Sequence, residues 1–359
     1  MPIAPGEKPR RGRGAGGNPD GRYLSTSREA YDDGWTNDDG VPDPLKTTVT
    51  EERSKTIISK NKSPDLPFDH SINPYRGCEH GCVYCYARPA HAYMDLSPGL
   101  DFESRLFSKP NAAALLRKEL GRKGYRCSAI SLGANTDAYQ PIERRLKITR
   151  EILEVMAECS HPVTIVSKSS LVERDIDLLG PMAAAGLAQV FISITSLDRG
   201  LSRHMEPRAA APQRRLQTLA TLCAAGIPTG AMFAPVIPAL NDEYLEDVLA
   251  ASAAAGARYA GYVMLRLPLE VKDLFKDWLQ RHYPLRAERV MGRVRDTRNG
   301  SENDTKFGRR FKGTGPIAEL IGQRYRRACR EHGLNVSRHE FDTSAFKPPR
   351  ENTHQLELF

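Results

Sequence analysis

Between residues 128 and 268 the chain alternates short β-rich runs with helical stretches, and no other feature constrains its fold as much. The runs SAISLG (128–133), PVTIVSKSS (162–170), AQVFISITS (188–196), IPTGAMFAPVIP (227–238) and YAGYVMLRLP (259–268) are short and apolar. Between them lie IERRLKITREILEVMAECS (142–160), DIDLLGPMAAAG (175–186), PQRRLQTLATLCAAG (212–226) and DEYLEDVLAASAAAGA (242–257). These have helical spacing; two close on glycine, and the last follows Asn241 as its cap. Hydrophobic period, β-branched enrichment and Gly/Pro punctuation separate the two kinds of element. Strands alternating with helices at this spacing build βαβ units and a parallel sheet covered by helices. About six such units are too few for a closed eight-unit barrel, so the expected class is α/β, a partial (β/α)6 barrel. Functional residues then belong at the C-terminal ends of its strands. A doubly wound sheet gives the same alternation, and spacing alone does not separate the two.

The flanks read differently. Residues 1–65 are rich in Gly, Pro, Asp, Arg and Ser and lack apolar periodicity, which predicts an extended or disordered arm. Within it, KPRRGRGAGGNPDGR (8–22) reads as a solvated basic segment. The core is expected over 66–285 and a basic extension with a helix over 286–340, including the loop GRVRDTRNG and the stretch GRRFKG. A polar tail over 341–359 ends in QLELF.

Charge and cysteine use narrow the function. The 52 Lys+Arg residues against 44 Asp+Glu leave a net charge of +8, compatible with a polyanionic partner such as nucleic acid. No apolar run approaches bilayer length and the first residues lack a secretory hydrophobic stretch, so no membrane and a cytoplasmic location are expected. Seven cysteines, odd in number and unevenly placed, do not form a disulfide framework.

Three of the seven fall within eight positions of NPYRGCEHGCVYCY (73–86): Cys78, Cys82 and Cys85, spaced C-x3-C-x2-C. Thiolates this close repel unless a cation neutralises them, so a metal or cluster is expected. Zinc takes a fourth Cys or His, and His80 inside the loop offers a Cys3His alternative. A cubane iron–sulfur cluster held by three thiolates would instead keep one iron open for another ligand. Cys127, Cys159, Cys223 and Cys329 lie in or beside expected elements and read as packing residues.

With Tyr84 before its last cysteine, this motif resembles the signature of the radical S-adenosylmethionine (SAM) superfamily. The resemblance implies a [4Fe–4S] cluster on Cys78, Cys82 and Cys85, SAM chelated at the open iron, and a partial (β/α)6 barrel of the radical SAM type. It also implies an electron donor such as flavodoxin or ferredoxin. Over roughly residues 50–345 the chain is similar to the spore photoproduct lyase-like branch, often labelled DNA repair photolyases. The similarity is carried by SPDLPFDHSINPYRGCEHGCVYCYARP, GANTDAYQPIE, SKSSLVERDIDLL, SITSLDRGLSRHMEPRAAAP and AGIPTGAMFAPVIP. By that resemblance Lys168 contacts the SAM carboxylate, Ser193 binds SAM near the fourth strand, and Tyr84 lies beside the adenine. The chain looks most like a subfamily whose chemistry is not settled.

One position departs from the branch. The lyase carries a hydrogen-donating cysteine in an A-C-T pattern after its second strand, where this chain has Asn135 in GANTDAYQ. Asparagine has no thiol hydrogen to give, so photoproduct reversal by that route does not carry over. Asn135, Asp137, Tyr139 and Gln140 still form a polar group at an expected strand end, where this architecture places substrate. The terminal QLELF resembles the bacterial sliding-clamp-binding peptide, with Gln355 at the rim and Leu356, Leu358 and Phe359 entering an apolar pocket. The leading expectation is a radical SAM enzyme of lyase or oxidoreductase type acting on DNA. The alternatives are one acting on a peptide or small metabolite, and a non-catalytic, metal-bearing DNA accessory.

Overall fold

The computed structural model of the chain describes residues 12–23 and 45–349; the QLELF tail lies outside the described residues. Ten strands fall into two sheets: β1 (Thr48–Glu51), β2 (Ser59–Lys60), β3 (His70–Ile72), β4 (Tyr75–Arg76), β5 (Arg105–Ser108), β6 (Ile130–Leu132), β7 (Val163–Ser167), β8 (Ala188–Ser193), β9 (Thr229–Val236) and β10 (Tyr259–Met264). The larger sheet runs β10-β9-β8-β7-β6-β3-β2. From β3 to β10 every neighbouring pair is parallel, and only β2 is antiparallel, against β3. Six parallel strands thus follow one another in chain order. A doubly wound sheet reverses its strand order at a switch point; this one does not, which decides for the partial barrel. Among the described residues β10 does not pair with β2 or β3, so the sheet stays open.

The strands formed where the apolar runs predicted them, because each is short and keeps buried residues on its inner face. Val163, Ile165, Val190, Ile192, Ala231 and Phe233 are all fully buried. Helices Ile148–Glu158, Ile176–Ala184, Pro212–Ala224 and Leu245–Ala254 cover the outer face. The stretch expected as one helix over 142–160 is two, Glu143–Leu146 and Ile148–Glu158, broken at Lys147 with φ 57°. Asn241 is not a side-chain cap. Its amide accepts from the Ile237 N–H and donates to the Thr195 and Pro235 carbonyls, tying β9 to the end of β8.

Three expectations change outside the barrel. A small sheet, β1-β5-β4, was not foreseen; its strands are too short and mixed in polarity to carry a period. Much of GRVRDTRNG is helical, as the end of Pro284–Asp296, rather than loop. Part of the N-terminal arm is not solvated: Arg13, Gly14, Ala15, Gly16 and Gly17 are buried against the core. Helix Gly315–Glu331 fits the expected basic extension.

Candidate metal centre

The loop Gly77–Arg88 leaves the small sheet just beyond β3, at the C-terminal end of the barrel strands. Cys78 and Cys82 are buried and Cys85 is half-buried, all three as free thiols. The turn requires glycine at both ends of the first segment, since Gly77 (φ 76°) and Gly81 (φ 66°) are left-handed. A Cβ on Gly81 would also meet the Glu103 carboxylate at 2.7 Å.

The loop is held from four sides. The Cys78 N–H donates to the Phe102 carbonyl (2.9 Å) and the Val83 N–H to Met205 (3.1 Å). Gln140 accepts from the Glu79 N–H (2.9 Å) and donates to the Gly77 carbonyl (3.1 Å). Arg88, fully buried, donates to the Cys82 carbonyl (2.9 Å), Gly81 (3.3 Å), Pro98 (3.0 Å) and Gly99 (2.9 Å), and pairs with Glu103 at 2.5 Å. Glu103 in turn accepts the Gly14 and Ala15 N–H groups at 2.9 and 2.8 Å, so the N-terminal segment is strapped across the loop. Arg13 completes the strap with a bond to the Glu103 carbonyl (2.6 Å).

The electrostatics suit a cationic guest. Burial pushes all three thiols up, Cys82 to about 12, and the nearby Asp137, Cys82 and Cys85 push Cys78 up further. Burial thus disfavours the thiolate form of all three. A bound metal supplies the charge that makes them thiolates. Lys168, at the end of β7, is the largest favourable charge on Cys82 and stands 5.8 Å above the Tyr84 ring. Burial opposes its ammonium, and the negative charges of Cys82, as a thiolate, and of Glu206 raise its pKa.

The zinc alternative fits poorly. His80 does not turn to the thiols; its Nδ1 faces the Asp137 carboxylate at 3.3 Å. A single zinc with bonds of about 2.3 Å needs its sulfurs within about 4 Å of one another. Among the described residues no three Cys, His, Asp or Glu side chains converge that way. A cubane takes each thiolate on a separate iron and asks no such convergence on one ion.

The other expected site residues fall into two groups. Asn135 is exposed, with its N–H on Asn73 (2.9 Å). Asp137 instead faces inward, accepting from Ser167 Oγ (2.8 Å), the Lys168 N–H (2.7 Å) and the Tyr139 N–H (2.9 Å). Burial would raise its carboxyl, but the His80 charge and these bonds bring it down to about 2. Tyr139 is fully buried with its hydroxyl on Asp175 (3.1 Å). Asp137 and Tyr139 therefore brace the cysteine loop and the β7 end from inside, and of the three only Asn135 faces open space. Ser193 is buried at the end of β8, its carbonyl accepting from Arg215 (2.9 Å).

Tyr84 is buried and donates to Glu206, which also pairs with Arg215 and accepts from Thr195 Oγ1 (3.2 Å). Sequence reasoning assigned nothing to Arg88, Glu103, Glu206 or Arg215. The signal for two of them was present, charged residues set in the otherwise tight turns YCYARP and RHMEPR.

The radical SAM superfamily model matches residues 72–251. The chain belongs to the radical SAM superfamily. The cofactors of that superfamily are a [4Fe–4S] cluster and SAM. An uncharacterized protein of Mycobacterium tuberculosis is 39% identical over 229 residues, 62% of this chain and 67% of the relative. An uncharacterized protein of Methanocaldococcus jannaschii is 30% identical over 241 residues, 67% of this chain and 85% of the relative. Among solved structures, spore photoproduct lyase complexed with dinucleoside spore photoproduct aligns with a TM-score of 0.55 at 16% identity, over 80% of each chain. A variant of that lyase aligns with a TM-score of 0.57 at 15% identity, again over 80% of each. These likenesses establish the fold. No helix among the described residues is long and apolar enough to cross a membrane.

Proposed function

We propose that the chain carries its [4Fe–4S] cluster on Cys78, Cys82 and Cys85 and directs radical chemistry at a nucleic-acid substrate, in a reaction related to DNA repair. The observation that carries the cluster assignment is the loop itself: three thiols raised by burial, at the barrel mouth, with Lys168 beside Cys82. Bound on these thiols, a reduced cluster would supply the single electron for reductive cleavage of SAM and so the radical chemistry of the superfamily. The chain's own residues orient and enclose. Lys168 offers its ammonium to a carboxylate at the end of β7. Ser193 and Tyr84 line the same mouth, and the strap and Arg88 keep the loop in one geometry.

The substrate class is supported by the fold shared with a lyase solved with a dinucleoside photoproduct and by the net charge of +8. Asn135 in place of a thiol means that the final hydrogen comes from another group. The tail Gln355, Leu356, Leu358, Phe359 supports tethering to a bacterial sliding clamp, tested by pull-down with and without residues 355–359.

The deciding experiment is anaerobic reconstitution with iron and sulfide, followed by dithionite and SAM. 5′-Deoxyadenosine is then assayed with and without damaged DNA. The proposal expects formation that rises with DNA. Formation indifferent to DNA moves the substrate to a peptide or metabolite, and no formation leaves a non-catalytic accessory.

A further inference from the structure

The stretch GRRFKG, which the sequence marks as basic and able either to hold phosphate or to form a solvated face, is built into the rim of the mouth. The Met264 N–H donates to the Phe311 carbonyl (2.8 Å), laying residues 309–311 along the end of β10. Arg298 staples the two together, donating to the Met264 (3.2 Å), Leu265 (2.6 Å), Arg309 (3.2 Å) and Arg310 (2.9 Å) carbonyls. Asp65 accepts from the Gly308 N–H and from Arg310 Nε, both at 2.7 Å. The rim is thus fixed by backbone and buried charge, not left as a loose basic loop.

On this rim Arg266 lies between two rings, its guanidinium carbon 5.4 Å from the Tyr86 centroid and 5.0 Å from that of Phe311. Arg310 lies 4.7 Å from the centroids of both Phe307 and Phe311. Tyr86 directly follows Cys85, and its hydroxyl donates to the Ala134 carbonyl, so the rings begin where the cysteine loop ends. Tyr86 is 43% exposed and Phe307 59%. Arg266 has no hydrogen bond and no direct ion pair among the described residues, and its Nε is buried without an acceptor; the Asp65 carboxylate, already bound to Arg310, acts on it only at a distance. Burial, then the charge of Arg310, pushes its pKa down. A half-buried guanidinium is costly without an anion, and folded chains rarely keep one at a strand end without use for it.

We propose that Arg266 is the phosphate receptor of the substrate site and that Tyr86, Phe307 and Phe311, interleaved with Arg266 and Arg310, form a shelf on which a nucleobase of single-stranded nucleic acid stacks. The inference rests on the nucleic-acid reading above and names the residues that would realise it. Planar guanidinium meets phosphate bidentately, and an exposed ring accepts any base face without regard to sequence. A peptide carboxylate would satisfy Arg266 as well but leaves the two exposed rings without a matching planar partner.

The test is fluorescence anisotropy of a labelled oligothymidylate on anaerobically reconstituted full-length protein across a salt series. Arg266→Gln is expected to weaken binding about tenfold and to reduce the slope of log Kd against log salt by about one. Phe307→Ala is expected to weaken it about five- to a hundredfold. Arg122→Gln, an exposed arginine on the turn before β6, leaves affinity unchanged and controls for bulk charge. Because Arg266→Gln gives up only the two ring contacts while removing a half-buried charge that has no direct ion pair, it keeps the thermal midpoint at or above that of the parent. A marked fall would show that stacking within the fold is its role, overturning the proposal. Parent binding with Arg266→Gln and Phe307→Ala at parent affinity also overturns the shelf while the nucleic-acid reading stands. A parent that makes 5′-deoxyadenosine yet binds no oligonucleotide overturns both.

Discussion

The sharpest prediction concerns a residue far from the cysteines in sequence. Gly14 crosses the cysteine loop so closely that a Cβ there would sit 1.9 Å from the Gly81 carbonyl oxygen and 3.4 Å from the Val83 nitrogen. An ordinary carbon–oxygen contact is well above 3 Å, so Gly14→Ala must move backbone by more than an ångström. The strap cannot simply slide, because the Gly14 and Ala15 N–H groups both end on Glu103. Lifting it costs up to two charge-assisted hydrogen bonds, about 1.5–3 kcal/mol each. Deforming the loop instead costs about 1–3 kcal/mol, the usual range for overpacking. The cheaper route sets the expectation at about 1–3 kcal/mol, well within a typical stability of about 5–15 kcal/mol. The protein therefore folds, and the strap opens more often. Hydrogen–deuterium exchange read on peptides covering residues 77–88 should rise several-fold, and the reconstituted cluster should bleach faster in air. Gly16→Ala is the control: the nearest atoms to its Cβ are the end of the Arg281 side chain, at 2.5 Å, a flexible group whose bonds to Asp277 are partly exposed and yield more easily than backbone. Equal exchange in Gly14→Ala, Gly16→Ala and parent would refute the strap as a brace for the loop.

Other tests follow from the same structure. Alanine at any one of Cys78, Cys82 or Cys85 should abolish the iron–sulfur absorbance and 5′-deoxyadenosine formation together, because no other cysteine is assigned to the loop. Glu206→Gln leaves fully buried Arg215 without its carboxylate; a loss of about 3–5 kcal/mol is expected in denaturant unfolding. His91 and His161 are both buried and pushed down to about 4. Their folded pKa lies below the unfolded value of about 6.5, so the unfolded chain binds more protons on acidification. Stability should then fall from about pH 6.5 toward pH 4, at up to about 1.4 kcal/mol per pH unit for each histidine. His161→Gln should flatten that slope in pH-dependent unfolding.

What could be read in the sequence and what could not divide along a physical line. The barrel strands announce themselves because their largely buried positions demand short, mostly apolar runs, as in Val163–Ser167 and Ala188–Ser193. The cysteines announce themselves because thiols at that spacing have little other use. The strap gives no such sign: glycines have no hydrophobic period, and its anchor is a carboxylate 89 residues away. Asp137 shows the converse. Its residue type and place at a strand end fit a substrate contact as well as a brace, and only its bonds to Ser167, Lys168 and Tyr139 turn it inward. Arg266 lies between these cases. The sequence places an arginine near the end of an expected strand, 259–268, but its lack of a hydrogen bond or ion pair is a property of everything around it. A pattern that depends on local period is visible in one dimension, whereas unmet charge appears only when the chain is folded. Searching such barrels for arginines without partners at strand ends is therefore a more direct route to substrate class than comparing motifs.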